Sequence, residues 1–170
     1  MFNSNITPII PQKKKLFSAP LQNIKRTIYL VDDDHDDCKF GTICLQQSNR
    51  LATIKSVNSA SELFDCFNQQ GLYKDISFND DNSPIILLDI HMPTTNGIEV
   101  LERIRNHPIT SDFPVILLTS NITCETIYDA YRLQANGYLQ KPFKLNDFHE
   151  IMDRIQDGSS KVEFINKTKH

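Results

Sequence analysis

Four groups of polar residues follow directly after short apolar runs in this sequence. They are Asp32 and Asp33, Asp89, Thr119 and Ser120, and Lys141. Carboxylates bind divalent cations, and a lysine or a hydroxyl can stabilise charge on a phosphoryl group. Each residue taken alone also has a structural interpretation, because an acid after a strand often caps the next helix, and Asp34 and Asp36 are candidates for that role. Their chemistry therefore depends on whether the fold brings them together.

The apolar runs that precede these residues have the length of buried strands. Five strands are predicted, over residues 28–31, 51–57, 85–88, 115–118 and 137–140. The run Ile85–Leu88 is apolar on both faces, as a parallel sheet covered by helices requires. The segment 51–57 alternates only weakly between apolar and polar residues, but its position between two predicted helices favours a strand.

Five helices are predicted between and after the strands, over residues 36–48, 59 to about 71, from Gly97 onward, 123–134 and 145–156. Ser59 and Glu62 form a capping box at the start of the second helix. Apolar spacings of three and four predict which side chains face the core. In chain order these are Phe40, Ile43, Cys44 and Gln47; Leu63, Phe64 and Phe67; Ile98, Leu101 and Ile104; Ile127, Ala130 and Tyr131; and Phe148, Ile151, Met152 and Ile155.

The alternation of five strands with five helices predicts an α/β fold, a doubly wound parallel sheet of the flavodoxin-like (βα)5 type. Right-handed crossovers favour the strand order 2-1-3-4-5. The ligand site of that topology lies at the carboxyl ends of strands 1 and 3, where Asp32, Asp33 and Asp89 fall. We expect a flexible N-terminal arm over residues 1–25, one domain over 26–157, and a C-terminal tail over 158–170.

The composition is that of a soluble globular protein, with 39% hydrophobic and 23% charged residues among 170. The net charge of −3 gives no general attraction to nucleic acid. No apolar run approaches the ~20 residues that span a membrane, and the absence of an apolar segment after Lys13–Lys15 argues against a signal peptide. The cysteines show no CxxC spacing, which favours reduced thiols in the cytoplasm over a zinc site or disulfides.

Three carboxylates at one edge of the sheet repel one another. A like-charged pair ~4 Å apart costs roughly 4 kcal/mol at an effective dielectric constant of 20. Lys141 supplies one positive charge, and Mg²⁺, which prefers carboxylate, water and phosphate oxygens, is expected to supply the rest, with Mn²⁺ as a substitute. A carboxylate nucleophile, a metal, a lysine and the Thr119 hydroxyl are the groups that phosphoryl transfer to an aspartate needs.

These motifs together resemble the receiver domain of two-component response regulators. The resemblance is carried by Val31-Asp32-Asp33-Asp34, by 87–93 with Gly97, by Thr119-Ser120, and by Gly137–Phe143, which includes Lys141 and Pro142. It covers about residues 26–156. The motifs are specific in their combination and spacing, and the resemblance implies a phosphoprotein of a signal-transducing phosphorelay.

The resemblance implies a role for each matched residue. Asp89 matches the phosphoacceptor, Lys141 the lysine that pairs with the phosphoryl group, and Thr119 the switch hydroxyl. Tyr138 matches the aromatic residue that rotates inward when the hydroxyl is drawn to the phosphate. Asp32 and Asp33 match the acid pair that holds Mg²⁺ with Asp89, and the backbone carbonyl of His91 is a further ligand. His91 and Asn121 occupy the two positions that tune the lifetime of the phosphate in this family. Two interpretations of His91 stay open: its side chain orders or blocks the attacking water, or it is simply exposed to solvent.

The resemblance also implies partners. The family takes its phosphate from a phosphohistidine on a sensor histidine kinase or a histidine phosphotransfer protein. Since only residues 157–170 follow the last helix, too few for a DNA-binding domain, we expect a stand-alone receiver that signals to a protein partner through the face of helix 4, strand 5 and helix 5. A homodimer is a further expectation, with Val162, Phe164 and Ile165 of the tail available for packing. Nucleic acid and membrane partners are not expected.

Three other functions remain open at this point. An aspartyl-nucleophile phosphatase would need an acid two residues after Asp89, where this chain has His91. A flavin-binding domain of the same fold would need a glycine- and hydroxyl-rich loop after strand 1, where Asp32–Asp34 would repel a phosphate. A receiver-like interaction protein that no longer takes phosphate would not need the complete set of matched residues. We therefore expect a phosphoacceptor switch, with self-phosphorylation and slow autodephosphorylation as its only reactions.

Overall fold

The structure, a computed structural model, describes residues 26–48, 53–68, 83–121 and 123–156. The predicted arm over 1–25 and the predicted tail over 158–170 lie outside the described residues. The same holds for the start of the second predicted strand at 51–52, for the end of the second predicted helix at 69–71, and for most of the polar segment that follows it.

Five parallel strands form one sheet in the order β2-β1-β3-β4-β5, which confirms the predicted topology. The strands are β1 Thr27–Val31, β2 Thr53–Val57, β3 Ile85–Asp89, β4 Val115–Thr119 and β5 Gly137–Gln140. All five residues of β3 and of β4 are buried. These central strands are covered on both faces, which explains why they are continuous apolar runs in the sequence.

Five helices alternate with the strands. They are α1 His35–Gln46, α2 Ala60–Phe67, α3 Gly97–Asn106, α4 Cys124–Arg132 and α5 Leu145–Gln156. Among these helices none is long and apolar enough to cross a membrane.

Two apolar layers sandwich the sheet. Side chains that alternate along β1 enter different layers, so that Tyr29 and Val31 pack with α2 and α3 while Ile28 and Leu30 pack with α1 and α5. The inward faces predicted for α2 and α5 are confirmed, and α3 buries Leu101 and Ile104 with Ile98 partly buried beside them. The sheet is thus covered on both sides, and the loops at its carboxyl edge carry the polar residues.

The inward face predicted for α1 is wrong. Phe40 is 69% exposed and Ile43 is 48% exposed, whereas Cys38, Gly41 and Leu45 are buried. Gly41 explains the difference, because a Cβ atom there would lie 2.8 Å from the Leu30 Cδ2 atom. The helix packs close to the sheet through its small residues, and the larger apolar side chains are turned outward.

The inward face predicted for α4 is correct only in part. Ala130 is buried, Ile127 is half-buried, and Tyr131 is 64% exposed together with Tyr128 at 66%. Ala130 is the buried residue of this helix, so α4 is anchored by a small side chain. The exposed tyrosines lie on the outer surface of the domain.

The first two helices begin at N-cap residues that the sequence predicted. Asp34 is the N-cap of α1, where its Oδ1 accepts hydrogen bonds from the backbone N–H groups of Asp36 and Asp37 at 2.8 and 3.2 Å. Ser59 caps α2 by accepting from the Glu62 N–H. The Glu62 carboxylate returns to the N–H of Asn58, one residue before the position expected for a capping box.

Candidate functional site

The register of the sheet brings the predicted site residues to one edge. Val31 lies beside Leu88 in the β1–β3 pair, so the residues that follow them, Asp32 and Asp89, are neighbours. At the other side of β4, the backbone N–H of Lys141 donates to the carbonyl of Thr119 at 2.8 Å. Four strands therefore deliver their terminal polar residues to one site, as the topology predicts.

The ammonium group of Lys141 is the positive centre of this site. Its Nζ lies close to three carboxylate oxygens: Oδ2 of Asp32 at 2.5 Å, Oδ2 of Asp37 at 3.0 Å and Oδ1 of Asp89 at 3.1 Å. The side chain of Lys141 is 14% exposed, those of Asp32 and Asp89 are 1% and 5% exposed, and that of Asp37 is 45% exposed. In two of the three ion pairs the carboxylate is thus buried, and the lysine that they share is mostly covered.

Burial and ion pairing shift the ionisation of this cluster in opposite directions. Burial raises the pKa of Asp32, although the hydrogen bonds from Lys141 and from the Asp34 N–H act to lower it. Burial would lower the pKa of Lys141, but the hydrogen bonds to Asp32, Asp37 and Asp89 outweigh burial and raise it. The site therefore has more negative charge than one lysine neutralises, and it favours a further cation.

Asp33 completes a set of carboxylates suited to a metal ion. One oxygen each from Asp32, Asp33 and Asp89 lie within 4.8 Å of one another, with Asp33 exposed and the other two buried. Hard carboxylate oxygens beside open solvent fit Mg²⁺, which binds through one or two carboxylates and keeps several waters. His91, whose carbonyl is the fourth predicted ligand, follows this set on the loop after β3, and its side chain is exposed.

Thr119 ends β4 at the same edge. Its hydroxyl donates to the backbone carbonyl of Asn121 at 2.6 Å and accepts from the Asn121 N–H at 3.2 Å. Both bonds tie the hydroxyl to the loop that leads into α4. The side chains of Ser120 and Asn121 are exposed at the rim.

Tyr138 on β5 is already turned into the protein. It is 9% exposed and packs in the apolar layer that contains Ala130 and Leu133, and burial raises the pKa of its phenol. The inward position that the resemblance associates with phosphorylation is therefore present while the Thr119 hydroxyl is still bonded to Asn121.

Gly97 supports Asp89 from the other side. A Cβ atom at Gly97 would lie 2.1 Å from the carbonyl oxygen of Asp89 and 2.8 Å from the Cα atom of Ile90. The N–H of Gly97 donates to the Ile90 carbonyl at 2.9 Å. The start of α3 thus packs directly against the backbone of Asp89, and only glycine leaves room for that approach.

A sequence profile described as the response regulator receiver domain matches residues 28–153 of this chain. The chain belongs to the response regulator receiver domain family. Two relatives of this receiver are ARR6, a two-component response regulator of Arabidopsis thaliana, and the response regulator Rcp1 of Synechocystis sp.. ARR6 is 30% identical over 142 residues, which cover 84% of this chain and 73% of ARR6. Rcp1 is 28% identical over 137 residues, which cover 79% of this chain and 88% of Rcp1.

Solved structures show the same fold. The bacteriophytochrome response regulator AtBRR is 25% identical with a TM-score of 0.67, and the match covers 84% of this receiver and 99% of AtBRR. The Mn²⁺-bound form of Rcp1 is 27% identical with a TM-score of 0.60, and the match covers 85% of this receiver and 96% of Rcp1.

The sequence did not reveal two features of this receiver site. Asp37 was not predicted to contact Lys141, although its place in the first turn of α1 directs it to the carboxyl edge of the sheet. The contact between Gly97 and the Asp89 backbone was not predicted either. A glycine at the first position of a predicted helix was the available signal, because a strong helix former is otherwise favoured there.

Cys38, beside the site, has a structural role. Its thiol donates to the Asp32 carbonyl at 3.3 Å, and burial followed by the nearby Asp32 charge raises its pKa to about 11. All four cysteines of the chain have free thiols. Cys38 is therefore a protonated, unreactive thiol at neutral pH.

The Gly97→Ala variant of this receiver is expected to be less stable by about 2 kcal/mol, because the new methyl group must displace backbone rather than a side chain. The Gly41→Ala variant is a matched control, since its methyl group meets side-chain atoms of Leu30 and Phe143 rather than backbone, and alanine favours the helix. Urea denaturation of both variants measures the difference, and equal stability losses would contradict this account of Gly97.

Proposed function

We propose that this receiver domain accepts a phosphoryl group on Asp89 in a Mg²⁺-dependent reaction and that the modified domain switches its binding to a protein partner. One observation carries the proposal. The buried Asp89 carboxylate lies 3.1 Å from the Lys141 ammonium and shares its edge of the sheet with two further acids. This combination provides a nucleophile, a fixed positive charge and a cation site in one place.

The proposed donor is a phosphohistidine of a sensor histidine kinase or of a histidine phosphotransfer protein. A carboxylate oxygen of Asp89 forms a bond to phosphorus while the bond from phosphorus to the imidazole nitrogen breaks, and the imidazole keeps the electron pair. Lys141 stabilises negative charge on the phosphoryl oxygens. Mg²⁺, when bound, would neutralise further charge on these oxygens.

Asp32, Asp33 and Asp89, with the backbone carbonyl of His91, are the residues we propose to hold the metal. The raised pKa of Asp32, caused first by burial, supports this assignment because a cation would relieve the cost of the buried charge. Crystallised Rcp1 binds Mn²⁺, which supports Mn²⁺ as a substitute for Mg²⁺.

Thr119 is proposed as the switch residue. A phosphoryl oxygen on Asp89 is a stronger acceptor than a backbone carbonyl, because it is charged. The hydroxyl would leave Asn121 for the phosphoryl group, and the loop before α4 would lose a hydrogen bond that is now 2.6 Å long. Ala130 is the one residue of α4 that is fully buried, so few apolar contacts oppose a shift of this helix.

The proposed output surface consists of α4, β5 and α5. Tyr128 and Tyr131 expose about two thirds of their side chains on α4, and aromatic side chains are enriched at protein–protein interfaces. Tyr138 belongs to the same buried apolar cluster as Ala130 of α4. A shift of α4 would move these tyrosines and thereby change the binding of a partner protein or of a second copy of the chain.

Hydrogen exchange can test this switch without knowledge of the partner. On addition of Mg²⁺ and beryllofluoride, a phosphoryl analogue, we expect the largest changes in amide exchange at Cys124–Arg132 and Gly137–Gln140. Ala60–Phe67 serves as the internal control, because α2 buries five residues and is remote from Thr119 in the strand order. Changes confined to the loops around Asp89 would contradict the proposed switch.

His91 and Asn121 are proposed to tune the lifetime of the phosphate. Both side chains are exposed at the rim of the site, where water must approach the phosphoryl group. Slow hydrolysis of the aspartyl phosphate is the only turnover that this arrangement requires. The exposed His91 also stands where an aspartyl-nucleophile phosphatase would need an acid, which supports a phosphoacceptor over such an enzyme.

Incubation with acetyl phosphate tests the proposed function directly. In the presence of Mg²⁺ the intact mass is expected to increase by one phosphoryl group, and removal of the metal by a chelator is expected to abolish the increase. Unchanged mass in Mg²⁺ would refute the proposal. An increase that persists after chelation would refute its dependence on metal.

A further inference from the structure

The ammonium group of Lys141 lies against three carboxylates, and its contact with Asp37 has the geometry of a hydrogen bond. The partners are the Oδ2 atoms of Asp32 and Asp37 and the Oδ1 atom of Asp89, at 2.5, 3.0 and 3.1 Å. An ammonium group has three donors and accepts no hydrogen bond. A phosphoryl group on Asp89 brings additional acceptor oxygens, and since three carboxylates already surround the Lys141 ammonium, a phosphoryl oxygen competes with them for its donors.

The three partners differ in what their release would cost. Asp32 and Asp89 are buried and belong to the carboxylate set suited to a cation. Asp37 does not belong to that set and lies in the first turn of α1 with 45% of its side chain exposed. Water can solvate the Asp37 carboxylate after release, whereas a buried carboxylate would remain without solvent. Asp37 is therefore the partner that Lys141 can exchange at the lowest cost.

We infer that Asp37 is a positioning residue that holds Lys141 in the unphosphorylated domain and is released when Lys141 bonds to the phosphoryl group. This inference rests on the proposed phosphoacceptor function of Asp89. Asp37 takes part in no covalent step, since it only exchanges one hydrogen bond. Its contact with Lys141 stabilises the unphosphorylated state and thereby opposes phosphorylation.

A matched control must separate this contact from the general effect of charge. Removal of any acid near the site makes the approach of an anionic donor easier. Asp36 precedes Asp37 in the same turn of α1 and is also exposed, but the ion pairs of Lys141 with described residues do not include it. The Asp36→Asn and Asp37→Asn variants therefore lose the same charge from the same helix turn, and only the second loses the contact with Lys141.

The experiment compares the wild type and both variants in two assays. The first measures the initial rate of phosphoryl uptake from acetyl phosphate in Mg²⁺ by intact mass. The second measures the affinity for beryllofluoride in Mg²⁺, followed by amide NMR signals because the chain has no tryptophan. Far-UV circular dichroism checks that each variant is folded.

We expect Asp37→Asn to increase both the rate and the affinity roughly fivefold over Asp36→Asn, a factor that the energy of a half-exposed ion pair allows. Equal values for the two variants would overturn the inference, since they would show that Asp37 acts only through its negative charge and not through its contact with Lys141. Lower values for Asp37→Asn would also overturn it, because they would show that Asp37 orients Lys141 for the reaction. A wild type that gains no phosphoryl group would instead refute the proposed function, and the inference with it.

Discussion

The Asp89→Asn variant is expected to lose phosphoryl uptake completely while keeping its fold. An amide oxygen is neutral and far less nucleophilic than a carboxylate oxygen, so phosphoryl transfer to this residue is not expected. The side chain keeps its shape and can still accept a hydrogen bond from Lys141. Intact mass after incubation with acetyl phosphate and Mg²⁺ should equal the mass of the untreated variant.

Stability provides a second readout on the same variant. Asp89 is one of two buried carboxylates that share Lys141, so loss of its charge reduces the repulsion with Asp32. In metal-free buffer we expect the free energy of unfolding to lie within about 1 kcal/mol of wild type, or above it. Asp36→Asn should keep phosphoryl uptake and serves as the control. A phosphoryl group found on Asp89→Asn would place the acceptor elsewhere and contradict the assignment.

The Lys141→Met variant is expected to lose both activity and stability. Methionine retains an unbranched side chain but removes the positive charge. Asp32 and Asp89 then face each other with no cation, and the loss of one partner from a buried ion pair costs about 3 kcal/mol. Urea denaturation in metal-free buffer measures this loss, and phosphoryl uptake should fall with it because the phosphoryl oxygens lose their lysine partner.

Mg²⁺ should restore part of the stability lost in Lys141→Met, because the metal supplies positive charge to the same carboxylates and binds only the folded chain. Lys144→Met is the matched control, since Lys144 is exposed three residues further on. We expect that variant to change the free energy of unfolding by less than about 0.5 kcal/mol. Equal losses in the two variants would show that Lys141 does not stabilise the buried acids.

The pH dependence of the Lys141→Met deficit follows from the shifts at the site. Burial raises the pKa of Asp32 above 3.8, while Lys141 acts to lower it. Removal of Lys141 would therefore raise the pKa of Asp32 further. Below that folded-state pKa the native state binds a proton that the unfolded chain does not, so the variant regains stability as the pH falls. The raised pKa of Lys141 stabilises the wild type fully below 10.5, the value of an unperturbed lysine, and this contribution is lost as the pH rises through the folded value. The stability difference should therefore be largest near neutral pH.

The helices show where sequence patterns were insufficient. For α2 and α5 the large apolar residues are the buried ones, so the spacing predicted the correct face. In α1 and α4 the helix approaches the sheet through Gly41 or Ala130, and large residues such as Phe40 and Tyr131 are left outside. Apolar spacing alone does not distinguish a close approach through small residues from a wider one through large residues.

In the candidate site, too, the sequence predicted some features and not others. The five-stranded order and the placement of Asp32, Asp89, Thr119 and Lys141 were predicted from the sequence, because residues that end parallel strands must meet at the carboxyl edge. The contact of Asp37 with Lys141 was not predicted, since it depends on the rotation of α1 about its axis.

The sequence by itself thus determined which reactive groups this receiver has and at which edge of the sheet they lie. Only the tertiary structure decided how those groups are paired. Lys141 contacts three acids rather than one, the Thr119 hydroxyl is bonded to the Asn121 carbonyl, and Gly97 packs against the backbone of Asp89. The physical reason is that pairing depends on distances of a few ångströms between elements far apart in the chain, and these distances are set by the packing of helices on the sheet, which no local pattern encodes.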